Sequence, residues 1–328
     1  MKMLVAPLYS IIVPVYNYGN FLSETLESIL NQTCENWECI IVNDGSTDNS
    51  EKVAKDYVQK DSRFRYIYQR NAGLSAARNT GIKISNGKYI QLLDADDLIE
   101  QDKIRLQANF LDEHHEVDLI YSAMVSFRDS SLKREYKDLL VHGKERVSGK
   151  GKFILSNLLT DNFFLPGCPL CRRTLFEKVG DFCEQLKSFE DWHYWYRAAL
   201  LNQSFYFDNR DGTKLLVRNH TNSMAKNVYR MLANKIKARD LLIKEIDFLA
   251  VNKSELFSHD FLVNTLKSHL LLINKDKMRL NLYYDNFIIG LFSAVKFAYY
   301  SRKPVLAFKD SVYLTKERLK KFFNKKEV

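Results

Sequence analysis

The chain of 328 residues is 46% hydrophobic and 27% charged, which is typical of a globular protein and leaves room for one large or two modest domains. Its apolar runs exclude a chain that crosses a membrane, because the longest nearly uncharged stretch, 286–300, is shorter than the ~20 residues that a membrane-spanning helix needs and contains Lys296. The formal net charge of +9 favours an anionic partner, without choosing among nucleic acid, an anionic membrane and a polyanionic small molecule.

Strand and helix signals alternate through the first hundred residues. Short apolar and β-branched runs predict strands, and apolar residues that recur every three or four positions predict helices. The predicted strands cover 9–15, 39–42, 65–68 and 89–93. Predicted helices cover 21–31 and 75–84. A further helix is predicted to begin near Asp48, because Glu51 follows it at the spacing of a capping box. This order predicts an α/β fold with an open, mainly parallel sheet and helices on both faces.

Polar loops follow three of the predicted strands, at 14–17, 43–48 and 94–97. Ligands bind open α/β sheets outside the carboxyl ends of the strands, where the connecting loops gather. We therefore expect the three loops to border one cleft.

The rest of the chain has a looser pattern. A predicted helix at 103–114 and a predicted strand at 117–121 precede a long polar stretch, 126–151. After about residue 225 the chain becomes basic and helical, and we place a domain boundary there. The apolar stripe of this helical part consists of Val228, Met231, Leu232, Ile236, Leu242, Ile246 and Leu249.

Asp94 and Asp96 occupy alternate positions after an apolar strand, so their carboxylates are expected to point to the same side. Hard oxygen ligands of this kind suit Mg²⁺ or Mn²⁺, which complete their coordination with water and substrate phosphates. A solvated acidic turn before a helix is the alternative, because Asp-x-Asp triplets are common in loops.

Four strings, IIVPVYN, IIVNDGSTDNS, NAGLSAARNTGI and YIQLLDADD, occur in this order over residues 10–98 and resemble the family 2 glycosyltransferases with the GT-A fold. The resemblance continues more loosely to residue 227. It implies a catalytic domain at 1–225, with a nucleotide-sugar part at about 8–125 and an acceptor part at about 126–225. Residues 226–328 are left as a basic amphipathic helical region without a family counterpart.

The resemblance also implies the residues that bind the donor. A carboxylate at Asp44 can accept the N3–H of uracil. The resemblance therefore favours a uridine diphosphate sugar as the donor. Arg78 matches a family position near the donor, with a surface arginine as the alternative, and Asp94 would meet the ribose or the metal. The nucleoside would be held by Pro14, Val15, Tyr16, Asn17 and Asp44.

A Glu-Asp pair at the start of a helix supplies the general base in this family, and Glu190 and Asp191 fit that pattern. Asp191 is implied as the catalytic base, with Glu190 among the substrate-binding residues. We expect the helix N-terminus to keep Asp191 ionised, as direct displacement with inversion requires. A charge pair without a chemical role is the alternative.

Arg218 and His220 match a family Arg-x-His stretch that closes over the donor diphosphate. The resemblance implies that Arg218 binds the donor and that His220 joins Asp94 and Asp96 as a ligand of Mn²⁺ or Mg²⁺. A neutral imidazole can be a metal ligand, although a histidine in a loop is often only solvated.

The Gln-x-x-Arg-Trp motif of the processive family members is missing, which favours transfer of one sugar at a time. The implied acceptor is a saccharide or lipid-linked saccharide of surface-glycan (polysaccharide or lipopolysaccharide) biosynthesis. Lysines beside apolar residues in 261–328 suit a helix on the inner face of the cytoplasmic membrane. Packing on the catalytic domain, or on a second subunit in a homo-oligomer, fits equally well.

Five cysteines, an odd number, and a start without a long apolar core predict reduced thiols in a cytoplasmic protein. A dinucleotide dehydrogenase is excluded because Pro-Val-Tyr-Asn stands where Gly-x-Gly-x-x-Gly is needed. No nucleic-acid-binding module accompanies the lysines, so no nucleic-acid partner is expected. The alternative function is a non-catalytic scaffold, or a membrane-surface subunit, of a glycan-assembly complex.

Overall fold

A computed structural model describes residues 8–129, 134–139, 146–220, 227–252 and 255–283. The chain divides into two compact units, Met1–Ser223 and Met224–Val328. The apolar run at 286–300 and the lysines that close the sequence lie outside the described residues.

Strands and helices alternate in the first part of the first unit, as the sequence predicts. The elements are β1 (Tyr9–Val15), α1 (Gly19–Leu30), β2 (Trp37–Asn43), α2 (Ser50–Lys60), β3 (Phe64–Tyr68), α3 (Leu74–Ile84) and β4 (Tyr89–Leu92). β1 pairs in parallel with both β2 and β4, and β2 pairs in parallel with β3. Every residue of β1 and β2 is buried, so both faces of the sheet are covered. The predicted α/β fold with a mainly parallel sheet is confirmed.

The remaining elements of this unit extend the sheet and add a second, smaller one. They are β5 (Leu98–Ile99), α4 (Lys103–Glu113), β6 (Leu119–Ser122), β7 (Met124–Asp129), β8 (Arg134–Leu139), β9 (Gly149–Lys150), α5 (Gly151–Leu158), β10 (Pro169–Arg172), α6 (Arg173–Val179), α7 (Glu190–Leu200), β11 (Ser204–Asp208) and β12 (Leu215–Arg218). The large sheet has the order β3-β2-β1-β4-β10-β6-β11-β9, and the small sheet has the order β5-β12-β7-β8. β10 runs antiparallel between β4 and β6.

Strand register brings the predicted polar loops to one edge of the large sheet. Val15 pairs with Asn43, and Asn43 pairs with Tyr68, so the ends of β1, β2 and β3 form one row. Gly45 has a φ of +76°, and a side chain there would approach the backbone nitrogen of Asn71 to 2.9 Å. Glycine therefore allows the loop after β2 to turn beside the segment that leads into α3.

The second unit contains two long helices, α8 (Val228–Val251) and α9 (His259–Tyr283), which pack against each other. Of the predicted stripe, Ile236, Leu242 and Ile246 are buried, whereas Val228 is exposed. Arg239 on α8 is buried, with its Nε 3.4 Å from Asp276 Oδ2 on α9. Among the helices of the described residues, none is long and apolar enough to cross a membrane.

Candidate active site

The loops after β1 and β2 are tied to each other. Asn17 has a left-handed backbone, with φ at 58°, and its Oδ1 accepts the backbone N–H of Thr47 at 2.8 Å. The N–H of Asn17 donates to Ser46 Oγ at 3.0 Å. Of the predicted nucleoside residues in this loop, Pro14 and Val15 are buried in β1, and Tyr16 is 47% exposed.

Asp44 lies at the end of β2, facing the N-terminus of α3. Its Oδ1 accepts the backbone N–H of Ala72 at 2.9 Å, and its Oδ2 accepts that of Gly73 at 2.8 Å. Gln69 Nε2 donates to Oδ1 at 2.7 Å. The positive end of the α3 dipole adds to these hydrogen bonds. These hydrogen bonds fix the Asp44 side chain at the sheet edge where the family resemblance implies the nucleoside.

Arg78 joins three parts of the first unit. It is 1% exposed, its Nη2 donates to Asp94 Oδ1 at 2.8 Å, and its Nη1 donates to Glu190 Oε1 at 2.7 Å. Burial alone would lower the pKa of Arg78, but the charges of Asp94 and Glu190 outweigh it and raise the pKa above its ordinary value. The alternative of a surface arginine is wrong, since α3, the loop after β4 and the start of α7 all meet at this guanidinium.

The acidic loop after β4 is contacted by the segment that follows β12. Asp96 Oδ2 lies 2.9 Å from His220 Nε2, and Arg218 Nε donates to the backbone oxygen of Asp96 at 3.1 Å. Asp97 is buried and accepts the backbone N–H of Arg218 at 3.0 Å. Burial first, and then the neighbouring charges of Asp96 and Asp94, raise the pKa of Asp97 well above its usual range. The predicted Arg-x-His stretch thus lies against the predicted metal aspartates.

His220 is mostly buried rather than solvated, because its ring packs 4.9 Å from the ring of Phe21 and 5.7 Å from that of Tyr18. In the described part of the chain, however, no group of three or more His, Cys, Asp or Glu side chains is arranged to hold a metal ion. Of the three predicted ligands, Asp96 and His220 contact each other, whereas Asp94 directs Oδ1 at Arg78.

Asp191 lies in the first turn of α7, after Phe189, whose backbone is left-handed with φ at 62°. Its Oδ1 accepts the backbone N–H of Trp192 at 2.7 Å, and its Oδ2 accepts Nδ2 of Asn162 at 2.9 Å. Burial, followed by the charge of Glu190, raises the pKa of Asp191 to about 7. The helix N-terminus does favour the ionised form through Trp192, as expected, but burial outweighs it. A carboxylate with this pKa is suited to accept a proton near neutral pH.

Two polar residues of the site, Gln69 and Asn162, are not among those that the sequence predicts. Each acts through a partner far away in sequence, 25 positions for Gln69 and Asp44 and 29 positions for Asn162 and Asp191. No local pattern marks either residue.

A family model described as Glycosyl transferase family 2 matches residues 10–180, just over half of the chain. An uncharacterized glycosyltransferase of Rickettsia prowazekii is 37% identical over 205 residues, which is 62% of each chain. Glycosyltransferase GlyA of Streptococcus pneumoniae is 44% identical over 39% of this chain and 18% of its own length, and the minor teichoic acid biosynthesis protein GgaB of Bacillus subtilis is 45% identical over 34% and 13%. The chain thus spans less than two thirds of the length of these relatives.

Two solved structures share the fold. Residues 1–349 of TarS from S. aureus, in complex with UDP-GlcNAc, match with a TM-score of 0.66 and 18% identity over 96% of this chain and 91% of theirs. The mannosyltransferase PcManGT of Pyrobaculum calidifontis, in complex with GDP-Man and Mn²⁺, matches with a TM-score of 0.55 and 14% identity over 96% and 88%. The fold expected from the sequence resemblance is confirmed by these matches.

Proposed function

Since the chain belongs to glycosyltransferase family 2, we propose that it transfers one sugar from a nucleotide-sugar donor to a hydroxyl of an acceptor, with inversion at the anomeric carbon. The observation that carries the proposal is the buried Arg78, which pairs with Asp94 of the acidic loop and with Glu190, the residue before Asp191. These two ion pairs support a base at Asp191 that acts close to the residues proposed to hold the leaving diphosphate.

In the proposed reaction, Asp191 accepts the proton of the acceptor hydroxyl as its oxygen forms a bond to the anomeric carbon. The bond from that carbon to the diphosphate breaks, and the nucleoside diphosphate leaves with the electron pair. Attack from the face opposite the diphosphate inverts the configuration. Because the pKa of Asp191 is raised to about 7, activity should rise as the pH increases through that value.

We propose a uridine nucleotide as the donor because of the hydrogen bonds at Asp44. The carboxylate has about four acceptor positions, and the described residues already supply two donors to Oδ1 and one to Oδ2. One position is left on Oδ2. Uracil offers one N–H there, at N3, whereas guanine offers two adjacent donors that would need both oxygens.

The diphosphate would lie at the acidic loop, near Arg218, Asp96 and His220. Carboxylates suit Mn²⁺ or Mg²⁺, and a neutral imidazole can be a metal ligand, so Asp96 and His220, with Asp94, would hold the ion. The cation would supply positive charge to the departing diphosphate. Since Asp96 and His220 now share a hydrogen bond, binding of a metal there requires that contact to open.

For the acceptor, we propose a saccharide or lipid-linked saccharide of surface-glycan synthesis, on the cytoplasmic side of the membrane. One relative is named for minor teichoic acid biosynthesis, which supports an acceptor of this kind. The second unit exposes Phe248 and Val251 at the end of α8. These apolar side chains suit contact with a membrane surface or with a second copy of the chain.

The proposed function is tested with a panel of nucleotide sugars, with and without Mn²⁺ or Mg²⁺, by measuring the released nucleotide. We expect Asp191→Asn to bind the donor normally and to lose about 10²–10⁴-fold in transfer, the usual contribution of a general base. Asp96→Ala should instead weaken metal-dependent donor binding. Full transfer by Asp191→Asn would contradict the mechanism, and donor binding without turnover in the unaltered chain would favour the scaffold.

A further inference from the structure

Asn162 donates a side-chain hydrogen bond to Asp191 from outside α7. It lies in the segment after α5 and is 5% exposed, with Nδ2 2.9 Å from Asp191 Oδ2. Its own Oδ1 accepts the backbone N–H of Phe163 at 3.1 Å. Because that bond fixes which end of the amide is the acceptor, the NH₂ group is the end that faces the carboxylate.

The segment that carries Asn162 is fixed on both sides. Phe163 packs 5.5 Å from the ring of Tyr121, and Phe164 packs 5.3 Å from the ring of Trp195 on α7. Trp192 Nε1 donates to the backbone oxygen of Leu158 at 2.7 Å, which ties α7 to the end of α5. Asn162 is therefore held at a constant distance from the first turn of α7.

Charged groups approach Asp191 from several elements. The charge of Glu190 on α7 opposes its ionisation, and Asp161 adjoins Asn162 in the segment after α5. Arg78 on α3 favours ionisation, but its guanidinium is already shared between Asp94 and Glu190. A neutral amide that donates to Oδ2 therefore favours the charged form without adding a further charge to this crowded group.

We propose that Asn162 is a positioning residue for the transfer reaction, which holds the Asp191 carboxylate toward the acceptor hydroxyl and favours its ionised form. This inference rests on the proposed role of Asp191 as the base. Without Asn162, Asp191 would be protonated over a wider pH range, and its carboxyl group would rotate more freely.

Asn162→Leu tests the inference, because leucine has a similar volume and no donor. A hydrogen bond to a charged group is strong enough to move a pKa by about one unit or more. We therefore expect the midpoint of the rising limb of kcat against pH to move up by about one unit. Transfer should fall about tenfold at pH 6.5 and recover to within about twofold at pH 9, while calorimetry shows unchanged binding of UDP.

Two further variants separate this role from a general loss of packing. Asn162→Asp keeps the size but places a second carboxyl beside Asp191, and the midpoint should rise further than in Asn162→Leu because two carboxylates then share one site. Asn157→Leu removes a partly exposed amide on α5 that donates to the backbone oxygen of Phe153, and it should leave the profile unchanged.

Two results would overturn the inference: a midpoint that does not move in either Asn162 variant, or a loss of transfer that is equal at every pH. Transfer that persists in Asp191→Asn would instead remove the base assignment, and with it the proposed mechanism. The two failures are therefore distinguishable in one set of measurements.

Discussion

Asp44 and Asp191 are both carboxylates beside the N-terminus of a helix, but their surroundings differ. Asp44 accepts two backbone N–H groups from the start of α3 and a side-chain amide from Gln69. Asp191 accepts one backbone N–H and one amide, is largely buried, and lies beside the acidic Glu190. The first arrangement suits a residue that is fixed in place and binds a ligand. The second suits one that must take up and release a proton.

Arg78 links the surroundings of Asp44 to those of Asp191. It lies on α3, whose N-terminus contacts Asp44, and it pairs with Glu190 beside Asp191. Its removal is expected to have the largest effect. Arg78→Leu leaves Asp94 and Glu190 without their shared cation, and breaking a buried ion pair in this way costs about 3–5 kcal/mol. Urea unfolding measures the loss of stability, and transfer should be abolished together with donor binding.

Lys83 on the same helix provides the control, because its ion pair with Asp181 is exposed. Lys83→Leu should cost less than about 1 kcal/mol. If Arg78→Leu were as stable as the control variant, the guanidinium would not be the link between the two regions.

Asp44→Asn should impair binding without impairing chemistry. The asparagine side chain has only one acceptor oxygen. Its NH₂ group would face N–H donors that the Asp44 carboxylate now accepts. We expect binding of UDP to weaken about ten- to a hundredfold in calorimetry, with kcat at saturating donor within about threefold of the unaltered protein. Asp56→Asn, an exposed aspartate on α2, is the matched control. A normal Kd with a lost kcat would reverse the roles assigned to Asp44 and Asp191.

Asp191→Asn should stabilise the protein in a pH-dependent way, which is the smallest of these effects. The folded pKa of about 7 lies above the unfolded value of about 3.9, so the folded state binds the proton more tightly and the carboxylate destabilises the fold above neutral pH. We expect the variant to gain about 1–2 kcal/mol at pH 8 in urea unfolding, with the difference fading toward pH 4. An equal gain at both pH values would mean that ionisation is not the cause.

Features of the site that depend on residues close together in the sequence could be predicted from the sequence. The loops after β1, β2 and β4 were expected at one sheet edge because parallel strands carry their carboxyl ends to the same side. The contact of Asn17 with Thr47 connects the first two loops, and the parallel pairing of β1 with β4 brings the third to the same edge.

Local rules were less successful where a distant partner competes. Asp48 and Glu51 have the spacing of a capping box, yet Asp48 instead accepts hydrogen bonds from Ser50 and from the backbone N–H of Gly19 on α1. The spacing located the start of α2, but the partners of Asp48 are Ser50 of α2 itself and Gly19 of the neighbouring helix α1.

By itself, the sequence determined the fold class and the sheet edge that carries the polar loops, because strand and helix periodicity are local properties. Its resemblance to a known family supplied the residues proposed to act there. The tertiary structure decided what each of those residues contacts. It turned Asp94 toward Arg78, buried Asp97, and brought Asn162 to Asp191. The physical reason is that desolvation and hydrogen bonding depend on whatever packs around a group, and at Asp191 those groups come from segments far apart in the chain.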